Sequence, residues 1–232
     1  MVWEVVRDVW FVECHAGRSV RVPTWVELFG HRGGIDGNRT LKPEEISSAD
    51  VALLWNFNRN SSTRLTLFLA RTDDTIVFIQ NSPGTSHALN IGATSNYGME
   101  WESHFSLPGD LRFQANATLQ KPTDEGDQPE YQGNRLPYLS DLEVDARLSR
   151  PVGSWRPWLE VSFESARFRD RINTEKIKAP ARTLWNAGIS RLLAAGWEIS
   201  GEVINLTDDR TYDVVQFPLP GRTWQITLGY NR

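Results

Sequence analysis

The clearest pattern along the chain is strict alternation of apolar and polar residues, which recurs in short segments from one end to the other. Residues 223–230 show it best. Their apolar positions are Trp224, Ile226, Leu228 and Tyr230, with small or polar residues between them. A period of two residues predicts a β-strand with one apolar and one polar face. The solvent that meets each face then decides what kind of protein this is.

The same alternation predicts about ten strands and almost no helix. Two of these strands, residues 50–57 and 64–70, stand at hairpin distance on either side of a polar turn. The apolar residues 76–79 predict a short hairpin that projects beyond the sheet. The other predicted strands are residues 9–21, 91–105, 111–120, 138–148, 159–164, 185–190, 197–203 and 223–230.

The connections between these strands alternate between long and short. The long ones, rich in polar residues, glycine and proline, are residues 22–46, 71–90, 121–137, 168–181 and 207–221. An antiparallel meander with all long loops at one end and tight turns at the other is the layout of an outer-membrane barrel. Soluble β-sandwiches instead mix loop lengths at both ends. We expect the long loops outside the cell and Tyr230 at the periplasmic end.

The polar faces of the predicted strands carry charges that need water or a partner. They include Glu143, Asp145, Glu160, Glu164, Glu198 and Glu202. A wide, wet or plugged lumen supplies water and partners, while the apolar face meets lipid. The sequence therefore predicts an all-β fold, an antiparallel up-and-down transmembrane β-barrel.

Composition agrees with a barrel wall. Mean hydropathy is only −0.43, and barrels hide their apolar band by alternation. No apolar run approaches the roughly 18 residues that a spanning helix needs. Ten tryptophans are typical of interfacial aromatic girdles. The net charge of −4 argues against a nucleic-acid partner. Residues 1–8 lack the apolar core of a secretory signal.

The residues give no sign of catalytic chemistry. No G-x-S-x-G, H-E-x-x-H or C-x-x-C motif and no phosphate-binding glycine loop occurs in the sequence. Cys14 is the single cysteine, so it forms no internal disulfide and is interpreted as an inert small side chain. We predict that the chain is not an enzyme, and we assign no catalytic, metal-binding or cofactor-binding residue and no cofactor. The histidines, interpreted as loop or lumen residues, are His15, His31, His87 and His104.

Two acidic pairs invite a functional reading that we do not adopt. Glu44 and Glu45 follow Pro43 and are interpreted as solvated loop charges or a short helical turn, not as an acid–base pair. Asp208 and Asp209 are interpreted as part of a turn, because a calcium loop needs further oxygen ligands at regular spacing.

Four short motifs, spread in order over nearly the whole chain, resemble those of one family. The first is G-R-S-V-R-V-P-T at residues 17–24, followed by E-L-F-G at residues 27–30. The second is G-N-R-T-L-K-P-E at residues 37–44, with Arg39 where proline is usual. The others are Asn96, Gly98 and Glu100, and V-I-N-L-T-D at residues 203–208 followed by G-R at residues 221–222. Together they resemble the C-terminal half of the β-barrel of TonB-dependent outer-membrane receptors.

This resemblance implies a 22-stranded barrel plugged by an N-terminal globular domain. It implies uptake of a scarce nutrient, of the iron-siderophore or cobalamin type, across the outer membrane of a Gram-negative bacterium. Residues 1–232 would be the C-terminal portion of that barrel, without the plug, the segment that contacts TonB and roughly the first twelve strands. We therefore expect a fragment that contacts lipid and a small nutrient ligand, reaches TonB only through the missing plug, and is inactive alone.

The individual substrate-binding residues are unknown from the sequence. Ligand contacts would come from outer loops, whose aromatic residues are Trp25, Phe29, Tyr131, Tyr212 and Phe217. Those rings fit girdle or loop-packing roles equally well. Two alternatives stay open: a self-contained small outer-membrane barrel that acts as an adhesin or pore, and a soluble β-sandwich binding module.

Overall fold

The computed structural model describes residues 1–82, 84–214 and 217–230. Eleven antiparallel strands form one sheet. In chain order they are β1 (Val2–Val6), β2 (Trp10–Arg21), β4 (Glu44–Asn58), β5 (Ser61–Asp73), β8 (Thr94–Leu107), β9 (Leu111–Asp124), β10 (Leu142–Ser149), β11 (Trp155–Glu164), β12 (Arg182–Leu192), β13 (Trp197–Ile204) and β16 (Thr223–Tyr230). Each strand pairs with the next in this order, so the predicted meander is confirmed.

The remaining elements belong to the connections. They are the helix α1 (Trp25–Phe29), the strands β3 (Ile35–Asp36), β6 (Ile76–Ser82), β7 (Thr85–Asn90), β14 (Tyr212–Val214) and β15 (Phe217–Pro218), and the single 3₁₀ turns Glu175–Ile177 and Ala194–Gly196. The predicted projecting hairpin is β6 and β7, and β3 adds to it as a parallel neighbour. No described helix is long and apolar enough to cross a membrane.

Long and short connections lie at opposite ends of the sheet. Residues 22–43, 74–93, 125–141, 165–181 and 205–222 make what we call the loop end. Residues 7–9, 59–60, 108–110, 150–154 and 193–196 make the turn end. The predicted rhythm is confirmed, although the strands extend further into the loop end than alternation alone indicated. The strand β1 was not predicted, because it is short and irregular, with a bulge between Glu4 and Val6.

The register of the sheet keeps apolar residues in continuous rows on one side. One such row crosses seven strands through Val12, Leu53, Leu65, Trp101, Ala117, Val144 and Phe163. A neighbouring row on the other side is mainly polar and runs through Glu13, Ala52, Thr66, Glu100, Thr118, Glu143, Glu164 and Arg182. We call these sides the apolar face and the polar face. A shift of one residue in any pair would mix the two faces.

The sheet has very little buried apolar core. The buried hydrophobic residues of the described part are small or lie in the loop end, namely Ala52, Ile76, Ala88, Ala93, Ala115 and Ala179. Large side chains on the apolar face, such as Leu67 and Leu69, are half exposed. A β-sandwich would bury this face against a second large sheet, and the described strands of the wall form one sheet only. The sandwich alternative is therefore wrong.

Candidate functional site

At the loop end, Arg21 connects three separate segments of the chain. Its guanidinium donates to Glu44 at 2.7 Å and to Glu27 at 3.1 Å. Glu44 also accepts the backbone N–H of Ile76 at 2.7 Å, so it links β4 to the projecting hairpin. Glu44 is only 6% exposed. The interpretation of Glu44 and Glu45 as part of a loop or a short helical turn is wrong, because both lie in β4. Glu44 is neutralised there by Arg21, whereas the side chain of Glu45 remains about half exposed to solvent.

The first family motif forms a capped helical turn on this anchor. The Thr24 backbone N–H donates to the Glu27 carboxylate at 2.7 Å, and the Glu27 N–H donates to the Thr24 hydroxyl at 3.3 Å. This reciprocal pair is a capping box, which satisfies free N–H groups at a helix start. Burial raises the pKa of Glu27, but hydrogen bonds from Arg21 and Thr24 outweigh it and hold the pKa below its ordinary value.

The second motif fits against the same helix. The N–H of Gly37 donates to the backbone carbonyl of Gly30 at 2.7 Å, and the N–H of Asn38 donates to the backbone carbonyl of Glu27 at 2.7 Å. A Cβ on Gly37 would lie 2.7 Å from the backbone nitrogen of Phe29, so only glycine allows this approach. The side chain of Asn38 reaches Ala88 in β7 at 3.1 Å. The motif residues therefore hold the connection 22–43 together with the projecting hairpin.

A second buried ion pair anchors the connections 125–141 and 165–181. Asp124, 1% exposed, accepts two hydrogen bonds from Arg171 at 3.0 and 2.7 Å. It also accepts the N–H of Gly126 at 2.9 Å. The Arg171 guanidinium stacks 4.0 Å from the Tyr131 ring. Tyr131, one of the aromatics predicted for ligand contact, thus packs within the loops.

The other predicted aromatics have different surroundings. Trp25 is 80% exposed on α1, and its ring lies 5.0 Å from that of Phe29. The guanidinium of Arg39 lies 5.0 Å from the Phe29 ring on the same connection. Tyr212 and Phe217 belong to β14 and β15, but their side chains lie outside the described part of the structure.

The closing motif shapes the last long connection. Asn205 has a positive φ of 58°, and its amide donates to the carbonyl of Asp209 at 2.7 Å and accepts the Asp209 N–H at 2.9 Å. Asp208 accepts the N–H of Arg222 at 2.8 Å, which ties the two halves of the motif together. Asp208 ends a turn that begins at Asn205, because its N–H donates to the Asn205 carbonyl at 3.0 Å, and Asp209 follows directly after this turn. Hydrogen bonds from the Thr211 hydroxyl and N–H lower the pKa of Asp209.

The polar face contains a groove of about 660 Å³ in the middle of the wall. Among its lining residues, Arg64 pairs with Glu13 at 2.5 Å, and Arg147 pairs with Glu160 at 3.1 Å. The other charged and polar lining residues are Ser62, Glu102, Ser103, His104, Gln114, Asn116 and Asp145. A wall of this composition suits an aqueous or protein-filled interior and not hydrocarbon.

The histidines have separate partners. His15 lies 2.9 Å from Asp50 on the polar face, and His87 lies 3.0 Å from Asp36 in the projecting hairpin. His31 contacts the Phe29 carbonyl at 3.1 Å, and His104 contacts Ser62 at 3.2 Å. Within the described ranges, no group of three or more His, Cys, Asp or Glu side chains is placed to hold a metal ion.

Sequence reasoning missed the buried anchors and found the motifs that surround them. Arg21 and Glu27 both belong to the first motif, and Glu44 ends the second, so the motifs themselves were the available signal. Nothing local marks Asp124 as the partner of Arg171, because the two are 47 residues apart. No substrate-contacting residue is identified by the geometry.

Comparison with known proteins identifies the family. A family model described as TonB dependent receptor-like, beta-barrel, matches residues 15–206. The chain belongs to this family. TonB-dependent receptors sit in the outer membrane of Gram-negative bacteria and are transporters, which supports the prediction that the chain is not an enzyme.

Solved structures of TonB-dependent receptors have the same fold. The siderophore receptor PiuA from Acinetobacter baumannii superimposes with a TM-score of 0.79 at 15% identity, over 99% of this chain and 34% of that protein. The copper transporter OprC superimposes with a TM-score of 0.78 at 18% identity, over 97% of this chain and 37% of that protein. The ferric citrate transporter FecA superimposes with a TM-score of 0.75 at 16% identity, over 97% of this chain and 36% of that protein. The chain therefore spans little more than a third of the length of these relatives.

Proposed function

We propose that residues 1–232 are the C-terminal portion of the wall of a 22-stranded TonB-dependent receptor in the outer membrane of a Gram-negative bacterium. The complete receptor would import a scarce nutrient of the iron-siderophore or cobalamin type. Its plug, outside this chain, would contact TonB and fill the space beside the polar face. The chain by itself would be inactive in transport.

The observation that carries this proposal is the division of one sheet into two faces and two ends. The apolar face suits lipid, the polar face holds ion pairs and a groove, and every long connection lies at one end. Strand polarity supports a larger barrel. The described sheet has eleven antiparallel strands, so its first and last strands run in the same direction. They cannot close on each other by antiparallel pairing, which disfavours the self-contained barrel.

Two observations support the proposed nutrient class: the similarity to known receptors and one exposed surface at the loop end. The relatives described above are a siderophore receptor, a copper transporter and a ferric citrate transporter. In this chain, the exposed Trp25 and the ring of Phe29 with Arg39 beside it form an aromatic and cationic surface at the loop end. Such a surface suits an anionic ligand with planar groups.

The membrane part of the proposal is tested with two neighbouring residues of β5. In a Cys14→Ala background, Leu67→Cys labels the apolar face and Thr66→Cys labels the polar face with a polarity-sensitive fluorophore. After folding into phospholipid vesicles, we expect the Leu67 probe to shift to shorter wavelength and to be quenched by nitroxide-labelled lipid. The Thr66 probe should be quenched by aqueous iodide instead. Equal iodide access for both probes would contradict the lipid-facing assignment.

The transport part is tested in a bacterial strain that lacks its own siderophore receptors. We expect production of the 232-residue chain alone to leave growth on a ferric siderophore as the iron source at the level of the empty vector. Restored growth would show that the chain transports by itself and would overturn its proposed inactivity.

A further inference from the structure

Arginine side chains have different surroundings at the two ends of the sheet. From the middle of the wall to the loop end, most described arginines form ion pairs, as do Arg18, Arg21, Arg64, Arg71, Arg135, Arg147, Arg171 and Arg210. At the turn end, the structure places no carboxylate of the described residues within ion-pair distance of five arginines. These are Arg59, Arg112, Arg150, Arg156 and Arg191.

Three of these five arginines line one cavity. The cavity is about 290 Å³ and is lined by Arg112, Ser149, Arg150, Pro151 and Arg156, without an acidic residue. The nearest acidic residue in sequence, Asp110, forms no ion pair with the three within the described part. Three guanidinium groups around one space repel each other, and an anion between them would remove that repulsion.

The turn-end backbone holds one of these guanidinium groups in position. Arg150 follows β10 directly, and its Nε donates to the carbonyl of Gly109 in the neighbouring turn at 3.0 Å. Gly109 has a φ of +77°, and a Cβ there would lie 3.3 Å from Nη2 of Arg150. This hydrogen bond uses one of five N–H donors, so the others remain available to a ligand.

The sheet register brings the other two arginines to the same edge. Arg112 is the second residue of β9 and lies opposite Ser149 at the end of β10, and Arg156 is the second residue of β11, the next strand. Both are exposed at the rim of the polar face. In this chain the cavity is therefore open to a solute, and its arginines come from three adjacent elements.

We propose that Arg112, Arg150 and Arg156 form a binding site for a phosphate group at the turn end of the wall. One arginine fork satisfies a planar carboxylate, whereas a tetrahedral phosphate offers oxygens to several forks at once. The cavity volume of about 290 Å³ is well above the roughly 30 Å³ that one water occupies, so the cavity has room for a phosphate group. The phosphate could belong to an anionic phospholipid headgroup or to a soluble phosphate compound. The proposal does not depend on nutrient import.

The site is tested by titration calorimetry on the 232-residue chain folded in an uncharged detergent. The probes are inorganic phosphate and, separately, a short-chain phosphatidylglycerol, with a short-chain phosphatidylcholine as the zwitterionic reference. We expect saturable binding of at least one of the two anionic probes. Binding of inorganic phosphate would assign the site to a soluble phosphate compound. Binding of phosphatidylglycerol alone would assign it to a lipid headgroup.

Two triple variants separate a built site from general charge attraction. R112Q/R150Q/R156Q should weaken binding by about tenfold or more, because charge-assisted hydrogen bonds are lost. R32Q/R210Q/R222Q removes the same charge at the loop end, away from the surface around Phe29, and should change the affinity by less than about twofold. Gly109→Ala keeps all charges but strains the turn at a φ of +77°, whose carbonyl holds Arg150, and should therefore weaken binding severalfold. Equal losses in the two triple variants, or no saturable binding to the unaltered chain, would overturn the proposal.

Discussion

The loop end and the turn end of this sheet are stabilised in different ways. At the loop end, buried ion pairs such as Asp124 with Arg171 fix long connections that have little apolar core. At the turn end, two-residue to five-residue connections need no such anchor, and stacked rings dominate. Trp10 and Trp55 stack at 4.7 Å, and Phe57 follows at 3.9 Å from Trp55. The contrast shows that long polar loops acquire order from internal charges, whereas tight turns acquire it from the strands.

The largest expected effect is at the most buried of these charges. Asp124→Ala leaves Arg171 buried without its partner and should lower the free energy of unfolding by about 3–5 kcal/mol. Urea unfolding of the chain folded in vesicles measures it. The control is Asp73→Ala, which removes an exposed pair with Arg71 and should cost at most about 1 kcal/mol. Equal losses would mean that burial does not distinguish these ion pairs.

A smaller effect is expected at the first anchor, where two adjacent glutamates differ. Glu44→Ala removes the acceptor for Arg21 and for the Ile76 N–H and should destabilise the chain by about 1.5–3 kcal/mol. Glu45→Ala removes only an exposed pair with Arg18 and should cost less than about 1 kcal/mol. The same urea titration compares them. If Glu45→Ala proved the more damaging change, the assignment of Glu44 as the anchor would fail.

At the turn end, the stacked pair Trp10 and Trp55 gives a still smaller effect. A double-mutant cycle with Trp10→Leu and Trp55→Leu should yield a coupling free energy of about 0.5–1.5 kcal/mol. Trp10 combined with Trp224, which lies at the other edge of the sheet, is the reference pair and should show no coupling beyond about 0.5 kcal/mol. Strict additivity for Trp10 and Trp55 would argue that the rings contribute only through burial.

The smallest expected effect is the pH dependence of the free energy of unfolding that Glu27 causes at the loop end. The pKa of Glu27 is lowered from 4.5 in the folded chain, so its contribution to stability is present above pH 4.5 and is lost as the pH falls through the lowered value. Glu27→Gln should therefore flatten the acid side of the stability curve measured between about pH 3 and 7. If the free energy of unfolding of Glu27→Gln fell with decreasing pH as steeply as that of the unaltered chain, other carboxylates would be the cause of the pH dependence.

Much of the fold could be predicted because alternation is a local property. The apolar positions of residues 223–230 identified a two-faced strand, and the order of long and short connections identified the meander. The strand β1 escaped prediction because five residues with a bulge give too little alternation. The extensions of β4 to Glu44 and of β9 to Asp124 were not predicted, because both lie in segments whose composition is typical of loops.

The candidate site was predictable only as a set of motifs. Their order indicated the family, and the structure shows that several motif residues, Arg21, Glu27 and Gly37 among them, hold the loop end together. The aromatic residues predicted for ligand contact have different environments in the folded chain: Tyr131 packs against Arg171, while Trp25 is exposed to solvent. Packing of one loop on another is not encoded in the local pattern, so the sequence could not separate them.

The sequence by itself therefore determined the two faces, the two ends and the family of this chain, because each depends on residues close together along the polypeptide. The tertiary structure decided which charges are buried, paired or free. Glu44 and Asp124 find partners from other strands and loops, and the three arginines at the turn end meet without one in the described part. Those outcomes depend on strand register and on loops that fold back over the sheet. The same residues in the same order do not reveal them until the chain is folded.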